Sequence, residues 1–403
     1  MNCGKPVRLR IPLIISSICL LHGLTSLAEP ADSLSRIEFL GHEIRFEGMK
    51  PLPESSIRDI GALERIDERL SATAGDLVGE MKAIRKEKGL CDWLSYQLIR
   101  KVSERLAPKK RDYFTYTATK WHFLKALGYE PLLGVGGDRI LLYVRTSERV
   151  YNLPVKSVEG GEYVCLNFHD YGFDEDVATL GMDFLRTQSA GGRDFSFQID
   201  RLPEFPESSY VERSLEFPYG RSLQTFHVRT NELLRQFLSN YPVTDYNNQF
   251  GIPLSPLTRS SLVEPLRKKL SGMSREKGLE YLLALTRHAF PFANDSESFG
   301  REKRLSAEET LAYGNSDCED RAALFFCLVR EIYDLPMIVL SYPDHVTVAV
   351  KLDGAHQKGI VHEGERYLPC EPTPQSRELR LGEMLPHLEG MPFEVIHSHR
   401  PKL

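Results

Sequence analysis

Two stretches of this chain, nearly 200 residues apart, follow the same order of helix, turn, strand and strand. "KALGYEPLLGVGGDRILLYVR", from Lys125, lies against "REIYDLPMIVLSYPDHVTVAVK", from Arg330. Pro131 then matches Pro336, and Arg139 matches His345 after a one-residue gap. Further on, "EYVCLNF" lies against "RYLPCEP", so Asn167 falls opposite Glu371, and upstream Tyr113 falls opposite Cys318. A duplication constrains a fold strongly, because whatever one copy forms the other must form too. We infer a divergent internal duplication in which the first copy lacks the thiol, imidazole and carboxylate of the second.

Strand-like and helical patterns alternate within each copy. Apolar residues at helical spacing mark "LVGEMKAIRKEKGLCDWLSYQLIRKVSERL" and "YTATKWHFLKALGY" in the first half, and the zone from Ser255 to Phe290 in the second. "RILLYVR", "RVYNLPV", "EYVCLNF", "PMIVLSY", "HVTVAVKL" and "ERYLPCE" read as strands bounded by turn residues. A Pro-rich "LPEFPE" at Leu202 marks a boundary, with two strands expected around "YVERSLEF" and "LQTFHVRT". The fold class is therefore α+β, a helix packed on an antiparallel sheet, in two divergent copies. The expected division is residues 1–28 as leader, 29–201 as a degenerate copy, 202–250 as a linking β region and 251–403 as the copy that carries chemistry.

The leader is expected from Lys5, Arg8 and Arg10, followed by an apolar run from Ile11 to Leu21 and small residues at Ser26 and Ala28. That is the pattern of a secretory signal peptide cleaved after Ala28. It is too short for a membrane span of roughly 20 residues, and no other stretch is long and apolar enough for one. The bulky Ile18 before Cys19 argues against lipoprotein processing there. The net charge of −5, with no basic cluster larger than "PKKR" at Pro108, argues against a nucleic-acid partner. Cleavage leaves Cys91, Cys165, Cys318, Cys327 and Cys370, an odd set, so at least one thiol is unpaired within the chain. Cys91 and Cys165 are candidates for a disulfide.

"GNSDCEDRAALFFCLV" places one of these thiols where a helix begins. Asp317 is an N-cap residue, Asp320 a further acceptor in the first turn, and Cys318 the first helical residue. The helix dipole and free N–H groups there favour a thiolate and can hold an oxyanion. Asp317, Glu319 and Asp320 oppose it as like charges, so a cation is required, and His345 is the candidate. His345 opens one strand and Glu371 closes another. Antiparallel pairing of those strands brings imidazole and carboxylate together, with Cys318 at the neighbouring helix tip. Strand alternation turns Cys370 away from the Glu371 face.

Other polar clusters carry less. His169, His356 and His362 read as solvated loop residues. His397 and His399 lack a third metal ligand. "NDSES" at Asn294 lacks an ordered ligand series for Ca²⁺, and "GVGGDR" precedes a strand rather than a helix, so it is a turn. No cofactor is expected.

"GNSDCEDRAAL", "PDHVTVAV" and "YLPCEPT" resemble the three motifs of the transglutaminase-like superfamily, which is papain-related in fold. The likeness is specific from His288 to Thr373, and "FGREKRLSAEETLAYGNSDCEDRA" is similar to secreted bacterial members. The resemblance implies Cys318 as nucleophile, His345 as general base and acid, and Glu371 in the third place, where most members carry Asp. It implies a peptide or protein substrate, and a protease, amidase or amide-crosslinking enzyme. The alternative is an inactive member that binds or scaffolds, for which the bare first copy is a precedent within the same chain.

Overall fold

The computed structural model describes residues 36–46, 49–173, 181–186, 191–353 and 359–401. The expected leader, and His356, lie outside the described residues. The described residues begin with a hairpin, β1 (Ile37–Phe39) and β2 (His42–Ile44), then four helices: α1 (Ile60–Thr73), α2 (Gly75–Glu87), α3 (Asp92–Leu106) and α4 (Tyr113–Ala126). The long helical pattern from Leu77 is thus two helices; Gly89, at φ 60°, breaks it. Strands β3 (Pro131–Gly136), β4 (Arg139–Arg145), β5 (Val150–Tyr151), β6 (Val155–Val158), β7 (Gly161–Cys165) and β8 (Asp183–Arg186) follow.

The connecting region holds the ten-residue strands β9 (Tyr210–Tyr219) and β10 (Ser222–Asn231). It also holds α5 (Glu232–Leu238), β11 (Val243–Thr244) and α6 (Tyr246–Gly251). Then come α7 (Pro256–Leu270), α8 (Arg275–His288), α9 (Asp295–Ser298), α10 (Ala307–Tyr313) and α11 (Cys318–Tyr333). The chain closes with β12 (Met337–Tyr342), β13 (His345–Val350), β14 (Ile360–His362), β15 (Glu365–Cys370) and β16 (Glu394–His399).

Two five-stranded sheets have the orders β6-β7-β4-β3-β8 and β14-β15-β13-β12-β16, with every pairing antiparallel. Element for element the orders coincide, and each central hairpin follows a helix, α4 or α11. Arg139 and His345 each open the second strand of that hairpin, paired with Gly136 and Tyr342. Tyr113 and Cys318 are each the first residue of their helix, after N-caps Asp112 and Asp317.

Each sheet has its own core. One gathers α1 to α4 with Leu133, Leu142 and Val164; the other gathers α7, α8 and α11 with Val339, Val348 and Cys370. The connecting region serves both: Leu234, Leu238 and Tyr241 pack into the first core, Leu215, Phe217 and Val228 into the second. From Asp320 to Val329 helix α11 is buried on all sides. Phe325, Phe326 and Leu328, all fully buried, each contribute about 1.5–3 kcal/mol relative to exposure. That burial fixes the helix axis, and with it the position of Cys318. None of the described helices is long and apolar enough to cross a membrane.

Candidate functional site

The thiol is placed by the start of α11. Asp317 Oδ1 accepts the Asp320 N–H at 3.2 Å, and Asp320 returns the bond to Asp317 N–H, a capping box. Asp320 Oδ1 also takes the Leu305 N–H at 2.8 Å, tying the helix start to the chain before α10. That segment ends as its sequence indicates, with a Ser306–Glu309 capping box and Gly314 in the left-handed conformation at φ 73°.

Imidazole and carboxylate are placed by the sheet. The two-residue turn Pro343-Asp344 fixes His345 opposite Tyr342. Strand β13 pairs with β15 through Val348 and Cys370, so Glu371 follows the last paired residue, in the alternation set of His345. His345 Nε2 lies 2.8 Å from Glu371 Oε2, with side chains 10% and 4% exposed. The other Glu371 oxygen accepts the Thr373 N–H at 2.8 Å, and its backbone carbonyl accepts Arg287 Nε and Nη2 at 2.8 and 2.6 Å. The "EPT" sequence is therefore a turn that folds back on its own acid. The extra methylene of Glu relative to Asp does not break the contact with the imidazole. Arg287, which fixes this carbonyl, carries no sequence signal beyond its place at a helix end.

Cys318 is partly buried beside these groups: the Val346 N–H, next to His345, lies against its sulfur, and the Glu371 charge reaches it. The expected thiolate is not what this environment favours. Burial first, then the Asp317 charge, push the thiol up to about 12, and the Val346 N–H offsets only part of this. Cys327 and Cys370 are fully enclosed and raised as well, by burial above all. No disulfide joins Cys91 and Cys165; both are free thiols, Cys165 buried beside Asn167 at 3.4 Å.

Three acids crowd the same helix start. Carboxylate oxygens of Asp295, Asp317 and Asp320 lie within 4.8 Å of one another, a spacing that would suit a small cation. Each accepts a backbone N–H: Asp295 from Lys303 at 2.6 Å, Asp320 from Leu305 at 2.8 Å and Asp317 from Asp320 at 3.2 Å. Burial raises Asp295 to about 6 and Asp317 to about 7, the latter helped by the Asp295 charge, and holds Asp320 well above the usual range. A raised folded-state pKa means the folded protein keeps protons the unfolded chain releases. The stabilisation is fully present below about pH 4, the unfolded value, and is lost as pH rises through about 6 to 7. The urea midpoint should therefore fall between about pH 4 and 7, and Asp295→Asn should flatten that fall. An unchanged slope in the variant would show that the trio does not share protons.

The corresponding place in the first half is filled by its own side chains. Asn167 Nδ2 donates to Tyr113 Oη at 2.8 Å, and Tyr113 Oη donates to Asp170 Oδ2 at 2.7 Å. Lys109 Nζ holds the other Asp170 oxygen at 2.5 Å. His169, expected in solvent, is mostly buried against Asp170 at 3.1 Å. Arg139 stacks on Tyr171, 5.1 Å from the ring centroid. His397 and His399 each meet one polar partner, Asn247 and Asp334, both at 2.6 Å. Comparison with protein-family models, curated proteins and solved structures gave no match to this chain.

Proposed function

We propose that the protein is an exported thiol hydrolase or acyltransferase of the transglutaminase-like type, acting on amide bonds of peptides or proteins. The observation that carries this is the 2.8 Å contact between His345 Nε2 and Glu371 Oε2, beside a thiol at a helix N-terminus. The two matched sheet orders support descent from one duplicated unit, the first without the thiol.

The carboxylate holds the Nε2 proton, which leaves the Nδ1 lone pair as the base. Burial and the Asp317 charge favour the thiol form, so proton transfer accompanies attack: Sγ bonds to the carbonyl carbon as its proton passes to Nδ1. The imidazolium formed is stabilised by Glu371 and then protonates the leaving amine. Water, or a second amine, resolves the thioester.

Fluorescent iodoacetamide tests the assignment of the thiol. Label should enter Cys318 ahead of the buried Cys165, Cys327 and Cys370, and should slow in His345→Ala. Label confined to other cysteines, or a Cys318 rate indifferent to His345, would contradict it. Fractionating natural peptides by turnover with wild type against Cys318→Ala then finds the substrate.

A further inference from the structure

A thiol among carboxylates reacts only if their charge is taken up elsewhere, and Glu319 is held by side chains from two other segments of the chain. Its Oε2 receives Arg304 Nε at 3.1 Å and its Oε1 receives Tyr246 Oη at 2.6 Å. The Arg304 guanidinium lies over the Tyr246 ring, 3.7 Å from the centroid, and its Nη1 donates to the Thr244 carbonyl at 2.8 Å. Arg304 and Glu319 side chains are 16% and 19% exposed, so solvent screens this pair less than a surface one. Burial and the Glu319 charge hold the Tyr246 phenol above its usual range, keeping it a donor.

The clamp is anchored in the first half of the chain. Thr244 lies on β11, which pairs with β5, and Tyr151 of β5 donates to Asp245 at 2.9 Å. The half with Tyr113 in the place of Cys318 thus pairs, through β5, with the strand to which Arg304 is fastened and after which Tyr246 starts.

We propose that Arg304 is a positioning residue for Cys318: with Tyr246 it clamps Glu319 and takes up the charge beside the sulfur, setting how readily the thiol gives up its proton. This rests on Cys318 being the reacting thiol. The remaining groups around the sulfur are committed elsewhere. Asp317 and Asp320 are bound to each other beside Asp295 of α9. From β13 and from just after β15 come His345 and Glu371, which hold one another. The neighbouring cation Arg321 points its Nη1 and Nη2 donors at the carbonyls of Thr286, Arg287 and Phe290. Glu302, in the chain before α10, adds its charge to Glu319 and Asp317. Glu319 is then the acid whose effect one side chain controls.

The test is the pH dependence of Cys318 alkylation by iodoacetamide, followed by peptide mass, in the full chain. The thiolate displaces iodide, so the midpoint reports proton loss from sulfur and requires no turnover. Arg304→Gln should raise the midpoint by about half to one pH unit, roughly 3- to 10-fold slower alkylation at fixed pH. Arg304→Lys should keep most of the wild-type midpoint, and Glu319→Gln should lower it. In Arg304→Gln/Glu319→Gln the loss should vanish, because no charge remains to be screened. An unmoved midpoint in Arg304→Gln, or an equal loss in both Glu319 backgrounds, would overturn the proposal. Either outcome leaves the reaction proposed for Cys318 standing; turnover that survives Cys318→Ala would overturn that reaction instead.

Discussion

Cys318→Ala should abolish turnover of an amide substrate, His345→Ala should follow close behind, and Glu371→Gln should remain partly active. The order follows from what each group does. The sulfur forms the bond that breaks the amide, and no neighbouring side chain can replace it; Cys327 is buried nine residues further along the same helix. General-base assistance is worth about 10²–10⁴-fold. Here it should lie towards the upper end, because a thiol raised to about 12 has little thiolate of its own near neutral pH. Glu371 orients the ring and stabilises its charge without reacting. Gln at that place keeps an oxygen for the Nε2–H and loses only the charge. Steady-state rates of the three variants on one substrate, with folding checked by melting, test the order. Equal rates for wild type and all three would remove the catalytic assignment.

The second large effect is on stability. Arg321 is fully buried, and its guanidinium donates to Thr286 and Arg287 carbonyls at 2.6 and 2.9 Å and to Phe290 at 2.8 Å. It closes the end of α8, whose last carbonyls have no partners within the helix. Burial lowers its pKa to about 10, so it stays charged at neutral pH. Arg321→Ala strips donors from buried carbonyls and leaves a cavity under α11. The expected loss is about 3–5 kcal/mol, seen as a lower urea midpoint. Loss of turnover should accompany it even in conditions where the variant is folded, since Arg321 joins the Cys318 helix to the segment holding Arg287 and the Glu371 carbonyl. A variant as stable as wild type would show that those carbonyls are satisfied another way.

Where the sequence was legible, short-range rules decided the structure. Asp317 at the N-cap, Cys318 at the first helical position, the Ser306–Glu309 box and the Gly314 stop all depend on residues within a turn of one another. Hairpins joined by tight turns placed His345, and alternation placed Glu371 on its side of the strand. The shared order of the two halves was legible because Pro131 and Pro336 stand at the same point of the pattern, where strand follows helix.

What was missed depends on contacts across long stretches of chain. The free Cys91 and Cys165, the burial of His169 by Asp170 and the upward push on the Cys318 thiol are set by enclosure, which no local pattern carries. Arg304, Tyr246 and Glu319 meet from separate segments, and Arg287 reaches Glu371 across 84 residues. Asp295 lay in a stretch read as a poor calcium loop. Its place beside Asp317 appears only when the start of α9 comes to the start of α11.

Acyl transfer to Cys318 tests the proposed reaction most directly. Wild type, His345→Ala and Cys318→Ala would be mixed with p-nitrophenyl acetate, quenched over time, and mapped by peptide mass. A Cys318–His345–Glu371 site should give an acetyl group on Cys318 that appears and then decays in wild type. It should form at least about 10²-fold more slowly in His345→Ala, and no acetyl should appear at that position in Cys318→Ala. Acetylation of Cys318 at the same rate with and without His345, or none at all in folded wild type, would contradict it and leave the binding or scaffold alternative.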